Sequence, residues 1–231
     1  KRRYRVGQVA VDGFLDDYAF LIQGLLDLYE TSFDVEWLQW AVRLQDKQDE
    51  MFWDATQSTY YATATSDRSV LFRMRDEYDG AEPSANSVAA MNLLRLSQFT
   101  DNAERKAKAD KTFATFSNRL RQSPDALPQL MAAIDFGHSK PKQIVIAGRA
   151  NAADTRAMIR VIHERYIPNK LLILADGGAA QAQIVRWLPV VEFMRQRNGQ
   201  ATAYICEDFV CRLPTTDLQA MARILDGKEP Q

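Results

Sequence analysis

The residues best suited to chemistry are carboxylates gathered at two places in the N-terminal part of the chain. Asp12, Asp16 and Asp17 form one group; Asp79 and Glu82, with Asn86 about one helical turn further on, form the other. Two carboxyl groups facing a glycosidic bond can serve as general acid and general base, and aromatic rings stack on sugar faces. On that chemistry the candidate catalytic residues are Asp16, Asp17, Asp79 and Glu82, and the candidate substrate-binding residues are Tyr18, Tyr61 and Asn86. The second group closes the segment 53–83, far longer than an ordinary helix–helix loop. Within it, Ser58-Thr59-Tyr60-Tyr61-Ala62-Thr63 has the composition of a short strand. Carboxylates at a helix start have a second use, because they cap orphan N–H groups and favour the helix dipole. Capping accounts for Asp12, Asp16 and Asp17 without catalysis. A turn and a cap likewise account for Gly80, Pro83 and Ser84, but not for Glu82 or Asn86.

Other chemistries find less support. Cys206 and Cys211 lie five positions apart, which is neither a redox C-x-x-C pair nor half of a zinc site with its second ligand pair. A local disulfide, two free thiols and a weak metal site all fit, free thiols being the expectation. Ala147-Gly148-Arg149 is neither a dinucleotide fingerprint nor a P-loop, and His138 and His163 stand alone. No cofactor and no metal are expected. With 29 Lys and Arg against 30 Asp and Glu, the net charge of -1 lacks the basic excess of a nucleic-acid binder. No uncharged apolar run is long enough to span a membrane. The basic start, Lys1-Arg2-Arg3-Tyr4-Arg5, is not followed by an apolar signal core. The two cysteines lean mildly towards a reducing, cytoplasmic compartment.

The elements that must position the carboxylates are helices in pairs. A broadly apolar helix is predicted over 13–29, with Asp12 as its N-cap and most of its girth buried. An amphipathic return helix follows over 35–52, with Trp37, Leu38, Ala41, Val42, Leu44 and Met51 as its apolar face. The pattern repeats as an apolar helix over 85–99 and a charged one over 103–120, then a shorter piece over 126–135. Helices joined by such short links must be antiparallel neighbours. Each apolar helix then starts at the same end of the layer, which puts Asp12, Asp16 and Asp17 at the same rim as Asp79, Glu82 and Asn86. About six hairpins close a ring of two concentric helical layers, and this chain supplies about two and a half.

After Gly137 the pattern changes to strand 142–147, helix 155–166 capped by Asp154, and strand 171–175, a βαβ unit with a right-handed crossover. A helix over 182–196, an Asn198-Gly199 turn, a strand over 201–205 and a helix over 216–225 complete a small α/β layer. The expected fold is therefore mainly α with a C-terminal α/β unit: a partial (α/α)6 toroid of the six-hairpin glycosidase and epimerase type over 1–137, and the α/β unit over 138–231.

Several linked motifs carry a resemblance. Gly13-Phe14-Leu15-Asp16-Asp17-Tyr18-Ala19-Phe20, Trp40-Ala41-Val42-Arg43-Leu44-Gln45-Asp46 and Asp79-Gly80-Ala81-Glu82-Pro83-Ser84-Ala85-Asn86-Ser87-Val88 are similar to the spermatogenesis-associated protein 20 family and its thioredoxin-domain-containing relatives. The likeness continues through 142–148, 166–177 and 201–214. It implies a longer parent with an N-terminal thioredoxin-like domain and a six-hairpin toroid, of which this chain is the C-terminal part. Relatives often carry a Gly-Gly-aromatic run where this chain has Ser58-Thr59-Tyr60-Tyr61. The resemblance implies architecture and no established activity. It leaves two readings, a rim that binds or processes a small carbohydrate, and a non-catalytic scaffold for the missing thioredoxin-like domain.

Overall fold

The computed structural model describes residues 1–207 and 210–228. Residues 208 and 209, inside the run 201–214 quoted above, lie outside the described residues. The chain is mainly α, with eight α-helices and a small four-stranded mixed sheet among the described residues. It divides into two compact units. One holds residues 1–29, 36–97 and 102–138; the other holds 30–35, 98–101 and 139–231.

The first unit opens with a hairpin of β1 (Arg3–Arg5) and β2 (Gln8–Ala10). Helix α1 (Leu15–Ser32) begins two residues later than its apolar pattern suggested. Asp12 is not its cap but pairs with Lys1. Instead Asp17, in the first turn, accepts the N–H of Phe14 at 2.8 Å, one half of a capping box. Helix α2 (Val35–Phe52) buries Leu38, Ala41, Gln45, Gln48 and Phe52, a seam spaced three and four residues apart. Two members of that seam are polar, so residue type alone pointed to a different face. Strands β3 (Trp53–Asp54) and β4 (Thr59–Tyr60) make a second small hairpin. Its turn residue Ser58 has φ 52°, a left-handed conformation that glycine adopts without steric penalty.

Helix α3 (Ala85–Phe99) is buried on most sides, and Asn92 donates from its amide to the Ala19 carbonyl at 2.8 Å, tying α3 to α1. Helix α4 (Ala103–Gln122) is capped by the Asn102 side chain, which accepts from the N–H groups of Glu104 and Arg105. A 3-10 turn at Pro124–Ala126 leads into α5 (Pro128–His138). Leu38, Leu93 and Leu130 are fully buried in this unit, and cutting any one back to Ala costs about 2–5 kcal/mol. α1 is less enclosed than its apolar girth suggested, with Leu21 half exposed.

In the second unit β5 (Lys142–Ala147) and β6 (Lys170–Ala175) pair in parallel, with α6 (Ala153–His163) between them in sequence. Asp154 is not the N-cap of α6, which is Ala152. Its carboxylate accepts from the N–H groups of Ala201 and then Thr155, and these bonds hold its pKa below the usual carboxylate value. The helix predicted over 182–196 is two pieces, α7 (Ala179–Val185) and a 3-10 turn at Pro189–Phe193. Pro189 carries no N–H and disfavours helical geometry at Leu188, which ends the α-helix early. Asn198 and Gly199 both have positive φ and form the two-residue turn that Arg197 and Gln200 close. β7 (Thr202–Glu207) then runs antiparallel to β5, and β8 (Val210–Cys211) antiparallel to β7. Helix α8 (Leu218–Leu225), capped by Asp217, completes the unit. One sheet face packs Ile144, Ile146, Leu172, Leu174, Ala203 and Ile205 against Met158 and Ile162 of α6 and Met221 and Ile224 of α8.

Candidate functional site

Asp16 sits in the first turn of α1 with its side chain 43% exposed. The neighbouring Asp17 is turned back into the helix start, where it accepts the Phe14 N–H. Arg2 lies beside both acids, 3.9 Å from Asp16 and 3.5 Å from Asp17, with its guanidinium 4.9 Å from the Phe14 ring centre.

The segment before α3 uses its polar residues unequally. Asp79 is buried, and its carboxylate accepts three backbone N–H groups: Ser84 at 2.7 Å, Gln129 at 2.9 Å and Leu130 at 3.3 Å. One side chain thus shapes the turn into α3 and caps the start of α5, a role local pattern could not show because α5 lies some fifty residues on. Asn86 is also buried. Its carbonyl oxygen accepts from the Thr59 hydroxyl and the Tyr60 N–H, and its amide donates to the Tyr60 carbonyl at 3.0 Å. It pairs with β4 as another strand would. Glu82 is exposed.

Asp16 and Glu82 come together on an open cleft of about 380 Å³. Phe20, Asp76, Glu77 and Tyr78 line it as well, with Ser84 and Ala85 at the start of α3. Arg75 is there too, bonded to Glu77 and 5.5 Å from the Phe116 ring centre. The first turn of α1 and the start of α3 therefore meet at one place. The other candidates are elsewhere. Tyr18 packs edge-on to Phe52, with ring centres 5.3 Å apart, and reaches the Met51 sulfur. Tyr61 lies under the Arg73 guanidinium at 4.5 Å, and Arg73 donates to the carbonyls of Thr63 and Phe52. Phe20, Asp76, Glu77 and Tyr78 are not among the site residues expected from the sequence. The one signal for the last three was their place at the end of the long connection.

A second polar constellation lies between α2, β4 and α4. Gln45 on the α2 seam donates to Asp49 at 2.8 Å and to the Tyr60 hydroxyl at 3.2 Å. Tyr60 in turn donates a hydrogen bond to Asp49, which pairs with Lys108 of α4. Burial, and then the charge of Asp49, push the Tyr60 phenol well above its ordinary pKa. The Lys108 ammonium sits 5.3 Å from the Trp53 ring centre. This arrangement clamps α2, α4 and β4 together. Among the described residues no group of three or more His, Cys, Asp or Glu side chains is arranged to hold a metal ion, and no helix is long and apolar enough to cross a membrane.

No family model matches the chain. Among known proteins it is 46% identical over 214 residues to spermatogenesis-associated protein 20 of Homo sapiens, covering 92% of this chain and 27% of that protein. The protein of the same name from Mus musculus is 44% identical over the same shares. An uncharacterized Caenorhabditis elegans protein is 32% identical over 95% of this chain and 29% of its own length. The chain is thus homologous to one region of spermatogenesis-associated protein 20, and it spans about a quarter of the length of the curated relatives it matches.

Proposed function

We propose that this chain is a sugar-binding arc of a larger protein, and that the cleft holding Asp16 and Glu82 receives a small carbohydrate. The observation that carries the reading is the cleft itself, an open polar space lined by Asp16 of α1, by Asp76, Glu77 and Glu82 of the long connection, and by the rings of Phe20 and Tyr78. Carboxylates accept hydrogen bonds from sugar hydroxyls, and rings cover the apolar face of a pyranose. If the bound sugar is processed, Asp16 and Glu82 are the acid and base, since Asp17 and Asp79 are committed to backbone N–H groups. The alternation of α1 with α2 and of α3 with α4 supports an arc of an (α/α)6 toroid of the six-hairpin glycosidase and epimerase type, joined near residues 137–138 to the α/β unit. In this reading the rest of the ring and a thioredoxin-like domain belong to the remainder of the parent protein.

The test is a titration of mono- and disaccharides against the full-length parent and this chain, followed by NMR or calorimetry. Saturable binding is expected, lost or weakened at least about tenfold in Asp16→Ala and Glu82→Ala, as when a hydrogen-bonded charged group is removed. Absence of binding to any sugar in either protein would sink the reading.

A second reading makes the chain a non-catalytic scaffold or regulatory module for the thioredoxin-like domain. The observation favouring it is that Asp79 and Asn86 have their hydrogen-bonding capacity taken up by backbone groups and a buried threonine. On that reading Asp16→Ala and Glu82→Ala leave the parent fully active in a redox assay.

A further inference from the structure

The two cysteines, expected as free thiols, are joined. Cys206 and Cys211 form a disulfide directly across the β7–β8 pair, with Cα atoms 3.9 Å apart. We propose that this disulfide is an exchangeable redox centre, in which a dithiol reductant attacks Cys211 and frees the β8 edge from β7.

Three observations carry the inference. The first is position. Ala203 and Ile205 of β7 point into the core against α6 and α8. Side chains alternate along a strand, so Cys206 projects from the opposite sheet face. The disulfide therefore stands on the sheet face away from that core. The second is asymmetry. Cys206 is 2% exposed whereas Cys211, on an edge strand of two residues, is exposed. Thiol–disulfide exchange follows access as well as thiol acidity, and exposed disulfides are the labile ones. The third is the neighbourhood. Both cysteines line a cavity of about 280 Å³ with Val145, Leu188, Val190, Met194 and the polar Asp101 and Gln143, so open space adjoins the bond. Among the described residues, β8 is also tied to β7 by their short pairing and by the Arg212 N–H donating to the Ile205 carbonyl at 3.0 Å, and the chain returns to β7 at Thr215, which exchanges both backbone hydrogen bonds with Ala203.

The step balances as ordinary exchange. A reductant thiolate attacks the Cys211 sulfur, the bond to Cys206 breaks, and Cys206 leaves as a thiolate that takes up a proton. The second reductant thiol, deprotonated, attacks its own partner sulfur in the mixed disulfide. Cys211 leaves as a thiolate and is protonated in turn. The reductant is oxidised to its disulfide, and two electrons have reduced the pair to two thiols.

The test treats the oxidised 231-residue chain with dithiothreitol without denaturant, counting thiols by alkylation and mass. Two alkylated cysteines are expected, at a rate rising in proportion to reductant, with circular dichroism unchanged. Hydrogen exchange at Arg212 should speed on reduction while the amides of β5 and β6 keep their protection. Reduction that needs denaturant, a rate that levels off at the unfolding rate, or loss of protection in β5 and β6 would each overturn the proposal. Single variants supply a second measurement: Cys211 in C206S should react with an aromatic disulfide probe at least about tenfold faster than Cys206 in C211S. Equal or reversed reactivity would also overturn it.

Discussion

At the scale of single residues, carboxylates that look alike in the sequence have opposite tasks. Asp79 and Glu82 stand three positions apart, yet Asp79 is buried among three N–H donors and Glu82 faces the cleft. Asp79→Ala strands those donors, and its expected cost is about 2–3 kcal/mol in urea unfolding. Glu82→Gln should stay within about 0.5 kcal/mol of the unsubstituted chain, because an exposed side chain changes stability little. A reversal of that order would mean that the cap on α5 is not what Asp79 provides. Tyr60 offers a pH-dependent test. Its phenol is raised well above 10.0 by burial, then by the charge of Asp49. Below about pH 10 both folded and unfolded states keep the proton, and the contribution is fully present. Above it the unfolded chain ionises first, so stability falls by up to about 1.4 kcal/mol per pH unit until the folded phenol ionises too. Unfolding of the parent and of Tyr60→Phe between pH 9 and 11 checks this: the variant should lose less stability over that alkaline range.

At the scale of elements, periodicity was informative wherever a seam was apolar and uninterrupted. α2, α3 and β5 fall where the pattern places them, and α4 runs only two residues further. The failures have specific causes. On α2 the buried seam passes through Gln45 and Gln48; the Gln45 amide donates to Asp49, one turn on in the same helix, and to Tyr60 of β4, which only the fold brings close. The helix after β6 stops because Pro189 interrupts a pattern that hydrophobicity alone would carry onward. The cleft was half legible. Helix direction put the starts of α1 and α3 together, but which acids face outward depends on N–H donors from distant segments. Close approach between β5 and α6 gives a prediction at this scale. A Cβ on Gly148 would stand 2.3 Å from the Thr155 hydroxyl oxygen, and Thr155 is fully buried. Gly148→Ala should therefore destabilise the second unit by about 1–3 kcal/mol, the usual range for overpacking. Hydrogen exchange in β5 and β6 reads that unit directly, and unchanged protection would show that α6 can give way.

At the scale of the whole molecule, the chain exposes a short run of large apolar side chains. Leu71 is 101% exposed, Phe72 72% and Met74 61%, all within one short run of the long connection. Single exposed apolar side chains are ordinary, but a contiguous run marks a surface that meets something else. The formal net charge of -1 adds little repulsion to keep copies apart. The relatives are more than three times as long as this chain. The isolated chain is therefore expected to self-associate with concentration and to bind a hydrophobic dye, both measurable by sedimentation and fluorescence. Leu71→Ser with Phe72→Ser should lower both while shifting stability by no more than about 0.5 kcal/mol, since neither side chain is packed. If association persists undiminished in the double variant, the contact lies on another surface. If the variant unfolds, Leu71 and Phe72 hold the fold together in a way their exposure does not allow, and the loop must be packed in solution.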